Sequence, residues 1–399
     1  MQTRLGTALL ETSQGQEADA ILRKCVHCGF CNATCPTYQL TGDELDGPRG
    51  RIYLIKQMLE GEAARTGTML HLDRCLTCRN CETTCPSGVE YGRLLDIGRE
   101  VSEERIHRSL SQRLQRYGLR FVLTRPALFK MALGIGRAAK PLLPAMLASK
   151  IPARQHAPAW PQARHTRRML VLEGCVQPAL APQINAQAAR ILDKLGISLI
   201  RANSAGCCGA LSQHLAAPEE ARDFMRRNID AWWPHIEAGT EAIVTTASGC
   251  GVQVKDYGHL LKDDPAYADK AARVSALTRD IGEIISSEDV SRLAGRKRRV
   301  AYHPPCTLQH GQKLPGLVED ILRRLGHELV PVNDAHLCCG AAGTYSLLQP
   351  EMARQLRETK LQALWAGKPE VIVSANIGCI THLAAGSGVP VAHWLELIE

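Results

Sequence analysis

Eight of the sixteen cysteines of this 399-residue chain occur in two runs with the same spacing. The runs read CVHCGFCNATCP from Cys25 to Pro36 and CLTCRNCETTCP from Cys75 to Pro86. In each run, three cysteines at three-residue steps are followed by a fourth cysteine and a proline. Cysteine thiolates with this spacing are the ligands of cubane [4Fe-4S] clusters. The two runs therefore predict two such clusters and the transfer of single electrons.

The spacing also predicts which thiolates share a cluster. It is the C-x2-C-x2-C-x3-C-P run of bacterial ferredoxins, in which the fourth cysteine ligates the cluster of the other run. Because its ring fixes the backbone, the proline helps to direct the fourth thiolate away from the first three. We assign the ligands to two sets: Cys25, Cys28, Cys31 and Cys85 for cluster 1, and Cys75, Cys78, Cys81 and Cys35 for cluster 2.

Zinc and disulfides are weaker interpretations of these runs. Structural zinc sites usually join two separated C-x2-C pairs. That pattern does not include a third cysteine three residues further on, followed by x3-C-P. A disulfide framework belongs to exported proteins, whereas this N-terminus has no apolar run long enough for a signal peptide. An iron content of about eight atoms per chain is expected if only the two runs are filled. A colourless zinc protein would contradict the prediction.

Composition limits the fold and the location. The chain is long enough for two or three domains, and its 45% of apolar residues can fill sizeable cores although aromatic residues make up only 4%. We expect packed helices and parallel sheets. No stretch of eighteen uninterrupted apolar residues occurs, so no membrane span is predicted. Sixteen cysteines without an export signal indicate a reducing compartment, and we expect the cytoplasm.

The excess positive charge is confined to one segment. The net charge is +8, but the fourteen Arg and Lys residues between Arg105 and Leu172 leave 34 basic and 40 acidic residues elsewhere. The segment has no acidic residue, and its predicted helices are interrupted at Pro126 and Pro141 before a proline-rich stretch. Three interpretations stay open: contact with anionic lipid, docking of an acidic partner subunit, and a solvated face. Nucleic acid is disfavoured because few aromatic side chains are available for base stacking.

The other eight cysteines mark an internal repeat. The first four are separated from the second four by 131, 131, 131 and 129 residues, too regular for coincidence. In each copy, short β-branched runs alternate with amphipathic stretches, which predicts βαβ units on a parallel sheet. Most of these cysteines follow predicted strands, at the edge where such sheets bind ligands. They are candidate site residues: Cys175, Cys207, Cys208 and Cys250, then Cys306, Cys338, Cys339 and Cys379.

We predict an α/β fold that combines an N-terminal α-helical domain of the bacterial-ferredoxin 2[4Fe-4S] type with a duplicated βαβ domain. The predicted domains are the ferredoxin-type domain 1–101, a basic helical and proline-rich connector 102–167, and the repeats 168–297 and 298–399. Asp46 and Pro48 are predicted to cap and begin a helix between the two runs that ends near Gly61. Arg49 and Arg51 on that helix would either offset cluster charge or be solvated.

Each copy of the repeat resembles the CCG domain of heterodisulfide reductase-like proteins, which implies a further iron-sulfur cluster. The fuller five-cysteine form of that domain ends in C-x2-C, but Ala247 and Asn376 stand at the first of these cysteine positions here. Binding of a further cluster by the repeats and a buried structural role of their cysteines therefore both stay open. Four nearby histidines are candidate ligands or proton carriers, or structural residues: His303, His310, His336 and His382.

The whole chain resembles the iron-sulfur subunits of bacterial glycolate dehydrogenase, also called glycolate oxidase. The bridge GDELDGPRGRIYLIK and the phrases LEGCVQP, TASGCG, HLCCGAAGTY and SANIGC carry the resemblance. It implies a three-subunit complex in which FAD-containing flavoprotein subunits oxidise glycolate to glyoxylate. This chain would pass the electrons to a quinone or a similar acceptor. The basic segment would hold the complex peripherally on the cytoplasmic face of the inner membrane.

Three alternative functions stay open. Iron-sulfur subunits for glycerol 3-phosphate or lactate share the architecture, so the substrate of the partner is not fixed. A CCG protein could itself reduce a disulfide or a quinone, and a scaffold or sensor would only bind partners. We find no G-x-G-x-x-G fingerprint after the first predicted strand of either repeat and no recognisable site for hydride abstraction. We therefore assign no catalytic residue and expect hydride chemistry on partner flavoproteins.

Overall fold

The chain before the first strand forms helices joined by loops. The computed structural model describes residues 1–63, 65–142, 144, 151–293 and 295–398. Short 3-10 turns occupy Glu44–Asp46 and Lys140–Leu142. The α-helices of this part are α1 (Thr7–Leu10), α2 (Ser13–Lys24), α3 (Phe30–Ala33), α4 (Pro36–Thr41), α5 (Pro48–Leu59), α6 (Thr66–Asp73), α7 (Asn80–Thr84), α8 (Tyr91–Arg105), α9 (Leu110–Leu123) and α10 (Pro126–Ala139).

Two four-stranded sheets follow, one in each repeat. Neighbouring strands are parallel throughout both sheets. The first sheet has the order β2-β1-β3-β4 and contains β1 (Arg167–Leu172), β2 (Ile197–Arg201), β3 (Ile243–Thr245) and β4 (Thr278–Asp280). The second has the equivalent order β6-β5-β7-β8 and contains β5 (Arg299–His303), β6 (Glu328–Leu329), β7 (Val371–Ser374) and β8 (Val391–His393). The predicted parallel α/β fold and its duplication are confirmed.

Helices connect the parallel strands, as crossover connections require. The predicted amphipathic stretches after the first strand of each repeat are helical. The helices are α11 (Gln177–Leu180), α12 (Gln183–Lys194), α13 (Ala210–His214), α14 (Pro218–Glu237), α15 (Ser248–Lys255), α16 (Tyr257–Leu260), α17 (Ala268–Leu277), α18 (Ile281–Ser287), α19 (Leu317–Arg324), α20 (Tyr345–Leu348), α21 (Pro350–Trp365) and α22 (Ile377–Ala384). A π-helical turn spans Thr307–Gly311, and 3-10 turns span Val290–Arg292 and Trp394–Leu397.

One apolar core is shared by the two repeats. Along a strand, successive side chains point to opposite faces of the sheet. Val171 of β1 and Tyr302 of β5 belong to the same buried cluster, together with apolar side chains of α12, α18 and α19. Leu170, next to Val171, packs instead among side chains of its own repeat, such as Met225 of α14. The two sheets are therefore joined through a common layer of packed side chains.

The sheet edge brings the repeat cysteines together. Because all strands in a sheet run in the same direction, their carboxyl ends lie at one edge, and the following loops meet there. In the first repeat, Cys175 follows β1, the pair Cys207 and Cys208 follows β2, and Cys250 follows β3 within the first turn of α15. The second repeat has the same arrangement after β5, β6 and β7. Residues distant in sequence are thus positioned for joint chemistry.

Helix α5 packs between the two cysteine runs, but Asp46 does not cap it. The cap position is Gly47, without a side-chain hydrogen bond, and Pro48 occupies the first turn as predicted. Asp46 is fully buried and accepts instead from Arg74 at 2.9 Å and His71 at 2.8 Å. The sequence signal for a cap was correct for the start of the helix and wrong for the role of the carboxylate.

The basic segment is tied to the rest of the chain by ion pairs. In α9, Arg116 lies 2.7 Å from Asp73 of α6, and Arg120 lies 3.4 Å from Glu220 of the first repeat. These pairs place part of the positive charge against acidic residues of both neighbouring domains. Helix α8 continues to Arg105, so it crosses the position of the predicted boundary after residue 101.

Connector residues 143 and 145–150 lie outside the described part of the chain. Pro141 lies in a 3-10 turn. Within the described residues, no helix is both long and apolar enough to span a membrane.

Candidate metal centres

Thiol group 1 consists of Cys25, Cys28, Cys31 and Cys85, which line one small cavity at the N-terminal domain surface. Burial and the neighbouring thiols of Cys25, Cys85 and Cys28 raise the pKa of Cys31 to about 11. Burial, together with Cys85 and Cys28, also raises the pKa of Cys25. Cys28 is exposed. The fourth cysteine of the second run therefore lies among the first three cysteines of the first run.

Thiol group 2 consists of Cys35, Cys75, Cys78 and Cys81. Burial raises the pKa of Cys81, with Cys78, Cys75 and Cys35 contributing among its charged neighbours. Burial also raises the pKa of Cys78, with further contributions from Cys35 and Cys75. The structure thus brings together the four thiols that the crossed pattern groups, although the assignment of ligands stays a prediction.

The loops around the two thiol groups have matching backbone conformations. His27 and Thr77 occupy equivalent positions with φ of 58° and 53°, and Gly29 and Arg79 occupy the next equivalent pair with φ of 85° and 60°. Left-handed residues at these steps curl the chain around the sulfurs. The Thr77 backbone N–H donates to Cys75 Sγ at 3.4 Å. Such donors favour the thiolate form, which is the form that binds metal.

Two buried arginines lie beside thiol group 2. Arg51 is 1% exposed, donates to Thr37 Oγ1 at 3.1 Å and approaches Cys35 Sγ to 4.0 Å. Burial disfavours its charge, yet neighbouring groups that include Cys75 and Cys35 hold its pKa above the ordinary value. Arg99 donates to the carbonyl of Cys75 at 2.8 Å. The interpretation of Arg51 as a solvated arginine is therefore wrong, and a charge-balancing position is found.

Arg99 was missed by sequence reasoning, although a signal existed. It lies in α8 among residues whose side chains are buried, such as Leu95 and Val101. An arginine within the apolar face of a helix must find buried acceptors, because an unpaired buried charge is costly. Arg49, by contrast, is partly exposed and pairs with Glu44 at 2.6 Å.

Thiol group 3 contains the cysteines of the first repeat. Cys207 accepts hydrogen bonds from the thiols of Cys175 and Cys208, which lowers the pKa of Cys207. Cys208 is also hydrogen-bonded to Cys250. The Gly209 backbone N–H lies 3.5 Å from Cys207 Sγ and donates to it. All four cysteines of this repeat are therefore connected in one cluster.

Thiol group 4 contains the cysteines of the second repeat. Cys306 Sγ and Cys338 Sγ are 3.9 Å apart. Cys339 is hydrogen-bonded to Cys338 and to Cys379. The Gly340 backbone N–H donates to Cys338 Sγ at 3.4 Å, as its counterpart does in the first repeat. The duplication therefore extends to the hydrogen bonds of the sulfurs.

Thiol groups 2 and 4 lie next to each other across the domain interface. Burial is the largest cause of the raised pKa of Cys78, and the nearby Cys306 thiol is the second largest. Leu76 packs in one apolar cluster with Cys306 and Cys338. Asn80 of α7 donates to the carbonyl of His336 at 3.3 Å. A cavity of about 750 Å³ is lined by cysteines of thiol groups 2, 3 and 4. The ferredoxin-type domain is thus docked on the cysteine-bearing sheet edges.

The candidate histidines have different environments. His310 hydrogen-bonds to Thr83 at 2.9 Å and to the carbonyl of His336 at 3.0 Å, so it joins the two domains structurally. His382 hydrogen-bonds to the carbonyl of Ala353 at 3.1 Å. His303 alone of the four lies within 4.8 Å of two cysteine sulfurs in the described part of the chain.

The donor sets of thiol groups 1 and 2 fit [4Fe-4S] clusters. Each set offers four sulfurs at one place, and each has a cation nearby, Arg49 for thiol group 1 and Arg51 for thiol group 2. The Thr77 backbone N–H points at a sulfur of thiol group 2. Metal binding requires deprotonated thiols, so a bound metal cation would offset the burial and the mutual repulsion that raise the pKa values of these cysteines. Thiol groups 3 and 4 have the same donor chemistry.

The cavity wall contains a carboxyl group that makes stability depend on pH. Glu100 of α8 accepts from Gln14 at 2.6 Å and from Gln213 of the first repeat at 3.3 Å, and burial raises its pKa to about 7. The pKa of Glu100 is higher in the native chain than in the unfolded chain. The protonated carboxyl therefore contributes its full stabilisation below about pH 4.3, and this stabilisation is lost as pH rises toward 7. We expect Glu100→Gln to stabilise the chain by about 2 kcal/mol at pH 8 and to have little effect near pH 4.

Urea unfolding followed by circular dichroism at both pH values measures this difference. The matched control is Glu104→Gln, because Glu104 lies one helical turn further along and is exposed. The control should change stability equally at both pH values. Equal effects of Glu100→Gln at the two pH values would contradict the expectation.

Comparison with known proteins decides the family. The glycolate oxidase iron-sulfur subunit of Escherichia coli (strain K12) is 57% identical over 401 residues, which cover 100% of this chain and 98% of that protein. The chain belongs to the family of glycolate oxidase iron-sulfur subunits. Another member of this family, the probable glycolate oxidase iron-sulfur subunit of Bacillus subtilis (strain 168), is 28% identical over 92% of this chain and 89% of that protein.

Family models divide the chain as its cysteines do. A model described as a 4Fe-4S dicluster domain matches residues 21–89, and one described as a cysteine-rich domain matches residues 169–255 and 300–384. The predicted pair of [4Fe-4S] clusters is confirmed, and the cysteine-rich domains support a further cluster. Lactate utilization protein A of Geobacillus thermodenitrificans (strain NG80-2) is 26% identical over 56% of this chain and 95% of that protein.

Proposed function

We propose that this chain is the electron-transfer subunit of a glycolate dehydrogenase complex. Flavoprotein subunits would oxidise glycolate to glyoxylate, and this chain would pass the electrons to a quinone or a similar acceptor. The observation that carries the proposal is the packing of Cys78 against the apolar cluster that contains Cys306, which places thiol groups 2 and 4 side by side, while Cys81 of thiol group 2 lines the same cavity as thiol group 1. The two relatives whose names contain glycolate oxidase cover 100% and 92% of the chain, which supports this substrate over lactate or glycerol 3-phosphate.

The residues of this chain create the conditions that electron transfer needs. Iron-sulfur clusters, when bound, accept and release single electrons at potentials set by nearby charges and hydrogen bonds. Arg51 and Arg99 place positive charge beside thiol group 2, and backbone N–H groups point at sulfurs in three of the four thiol groups. Burial of most of the cysteines excludes water and oxidants.

Electron entry is supported at thiol group 1. Cys28 is exposed, and Val26 and Phe30 beside it are 67% and 63% exposed. Apolar side chains exposed together mark protein contact surfaces. A flavoprotein subunit docked on this patch would lie next to the outermost thiol group.

The test is substrate-dependent reduction of the reconstituted three-subunit complex under anaerobic conditions. Glycolate, lactate and glycerol 3-phosphate are compared, and reduction is followed by visible absorbance and electron paramagnetic resonance. We expect clusters to be reduced with glycolate and to stay oxidised with glycerol 3-phosphate. Faster reduction by lactate, or a complex without flavin, would contradict the proposed function.

We also propose that the helices α9 and α10 hold the complex on an anionic, cytoplasmic membrane surface. Leu110, Leu114 and Tyr117 of α9 and Met131 and Ile135 of α10 are all more than half exposed. The spacing in α9 puts its three residues on one face, and basic side chains flank both helices. An exposed apolar stripe with basic flanks is the pattern of interfacial helices.

Vesicle sedimentation with the full-length chain tests the membrane proposal. We expect binding to vesicles that contain anionic phospholipid, weak binding to neutral vesicles, and loss of binding in the double variant Leu114→Glu, Ile135→Glu. The control is Leu347→Glu, because Leu347 is 53% exposed elsewhere on the surface. Equal binding by both variants would contradict the proposal. If the double variant still binds vesicles but no longer binds the flavoprotein subunits, the exposed face of α9 and α10 is a docking surface for a partner instead.

A further inference from the structure

The two repeats end their first strands differently. Leu172 ends β1 three residues before Cys175, and His303 ends β5 three residues before Cys306. Leu172 is buried in the same apolar cluster as Cys208. An apolar side chain thus lies at the position that an imidazole occupies in the second repeat. The repeats are therefore similar in their thiols and different in one possible donor.

His303 lies among sulfurs and has no hydrogen-bond partner for its ring within the described part of the chain. Its side chain is 1% exposed, and one ring nitrogen and the Sγ atoms of Cys339 and Cys379 all lie within 4.8 Å of one another. Neither ring nitrogen hydrogen-bonds to any residue that the structure describes. Leaving a buried polar group unpaired costs free energy, because its hydrogen bonds to water are lost and not replaced. His393, which is equally buried, hydrogen-bonds to the carbonyl of Thr246 at 2.9 Å.

Two polar groups lie near the sulfurs that surround His303. The amide Nδ2 of Asn376 donates to Cys379 Sγ at 3.6 Å. Lys360 is 3% exposed, and its ammonium group lies close enough to Cys339 and Cys338 to interact electrostatically with them. A positive charge and a hydrogen-bond donor both stabilise negative sulfur. A metal cation bound here would supply the missing partner of the imidazole.

We propose that His303 is a nitrogen ligand of a metal centre in the second repeat, together with Cys339 and Cys379. At the equivalent place the first repeat has cysteines and Leu172, and therefore no imidazole. Mixed imidazole and thiolate ligation suits two classes of centre, iron-sulfur clusters and zinc. If the metal is iron, a nitrogen ligand raises the reduction potential, so the second repeat would be reduced before the first. The inference depends on metal binding by the repeat and not on which substrate the partner subunits oxidise.

The test uses the full chain, purified anaerobically from cells grown with isotopically labelled histidine. Iron and zinc contents, X-ray absorption at both metal edges, and pulsed electron paramagnetic resonance of the reduced protein are measured. We expect a histidine nitrogen coupled to iron, or nitrogen scattering at the zinc edge if the metal is zinc. His303→Leu should lose this signal and the metal of the second repeat, while the spectra of the two ferredoxin-type clusters stay unchanged.

Two further variants keep the test decisive. His303→Cys should keep the metal and lose only the nitrogen signal, because a thiolate can replace the imidazole. His382→Gln is the matched control, since His382 lies nearby but hydrogen-bonds to a carbonyl, and it should keep both. A wild-type centre with sulfur ligation alone, or a nitrogen signal that survives in both His303 variants, would overturn the proposal. Cluster reduction by glycolate in the three-subunit complex reconstituted with the same variants reports separately on the proposed function.

Discussion

The Cys85→Ser variant is expected to lose the cluster of the first run, and the Cys35→Ser variant that of the second. Each substitution should remove about four of the iron atoms held by the two runs, because a cubane cluster holds four. The physical reason is the crossed arrangement, in which Cys85 lies with Cys31 and Cys35 lies with Cys81. Loss of either cluster interrupts the series of centres, so glycolate-dependent reduction of an external acceptor by the complex should fall to background.

Double variants distinguish crossed from local ligation. If Cys85 and Cys28 ligate the same cluster, the double variant should lose no more iron than either single variant. If Cys85 and Cys78 ligate different clusters, their double variant should lose about eight atoms. Iron analysis and electron paramagnetic resonance of anaerobically purified chains measure both. Thr84→Ala, next to Cys85, is the control and should keep all iron. The reverse pattern of iron losses would show that each run binds its own cluster.

The second large effect is expected for Asp46→Asn. Its carboxylate is fully buried and lies 2.9 Å from Arg74, 2.8 Å from His71 and 3.6 Å from the buried Arg51. An amide has one acceptor oxygen and turns its NH2 group toward one of the cations. The guanidinium of Arg51 would be left without a counter-charge except for the thiolates. Removing one partner of a buried ion pair costs about 3–5 kcal/mol, and we expect a loss of this size.

Anaerobic urea unfolding of the cluster-loaded chain, followed by circular dichroism and by cluster absorbance, measures the loss. The control is Asp43→Asn, because Asp43 lies three residues earlier, is exposed and caps a turn through the backbone N–H of Leu45. Asparagine also caps such turns, so the control should lose less than about 1 kcal/mol. If Asp46→Asn is as stable as the control, the buried carboxylate does not balance these cations.

Local sequence patterns predicted the thiol groups and the sheets. The steps between cysteines restrict which sulfurs can meet, and the constant offset between cysteines such as Cys207 and Cys338 indicates a duplicated domain even before its fold is known. Alternation of short β-branched runs with amphipathic helices then indicates parallel strands. Local patterns do not contain long-range partners, however. Asp46 has the sequence context of a helix cap, and only the approach of Arg74 from another helix shows its ion-pair role.

Domain docking and burial were not accessible from the sequence. The packing of Cys78 against the cluster that contains Cys306 depends on how the N-terminal domain packs against the second repeat, which no local pattern records. Four histidines were equal candidates, because the sequence does not show which imidazole lacks a hydrogen-bond partner. His303 differs from His310 in its neighbours, and only the folded chain distinguishes them.

The apolar layer between the two sheets has a consequence for the evolution of the duplicated half. Ile184 of the first repeat and Val318 of the second are buried in one cluster, and Gln187 donates to the carbonyl of Ile398 near the C-terminus. A repeat produced alone would expose this layer to water, which costs about 25 cal/mol for each Å². The shared layer therefore makes the stability of each copy depend on the other. Their sites can diverge residue by residue, as Leu172 and His303 have, while loss of either copy would expose the packed face of its neighbour.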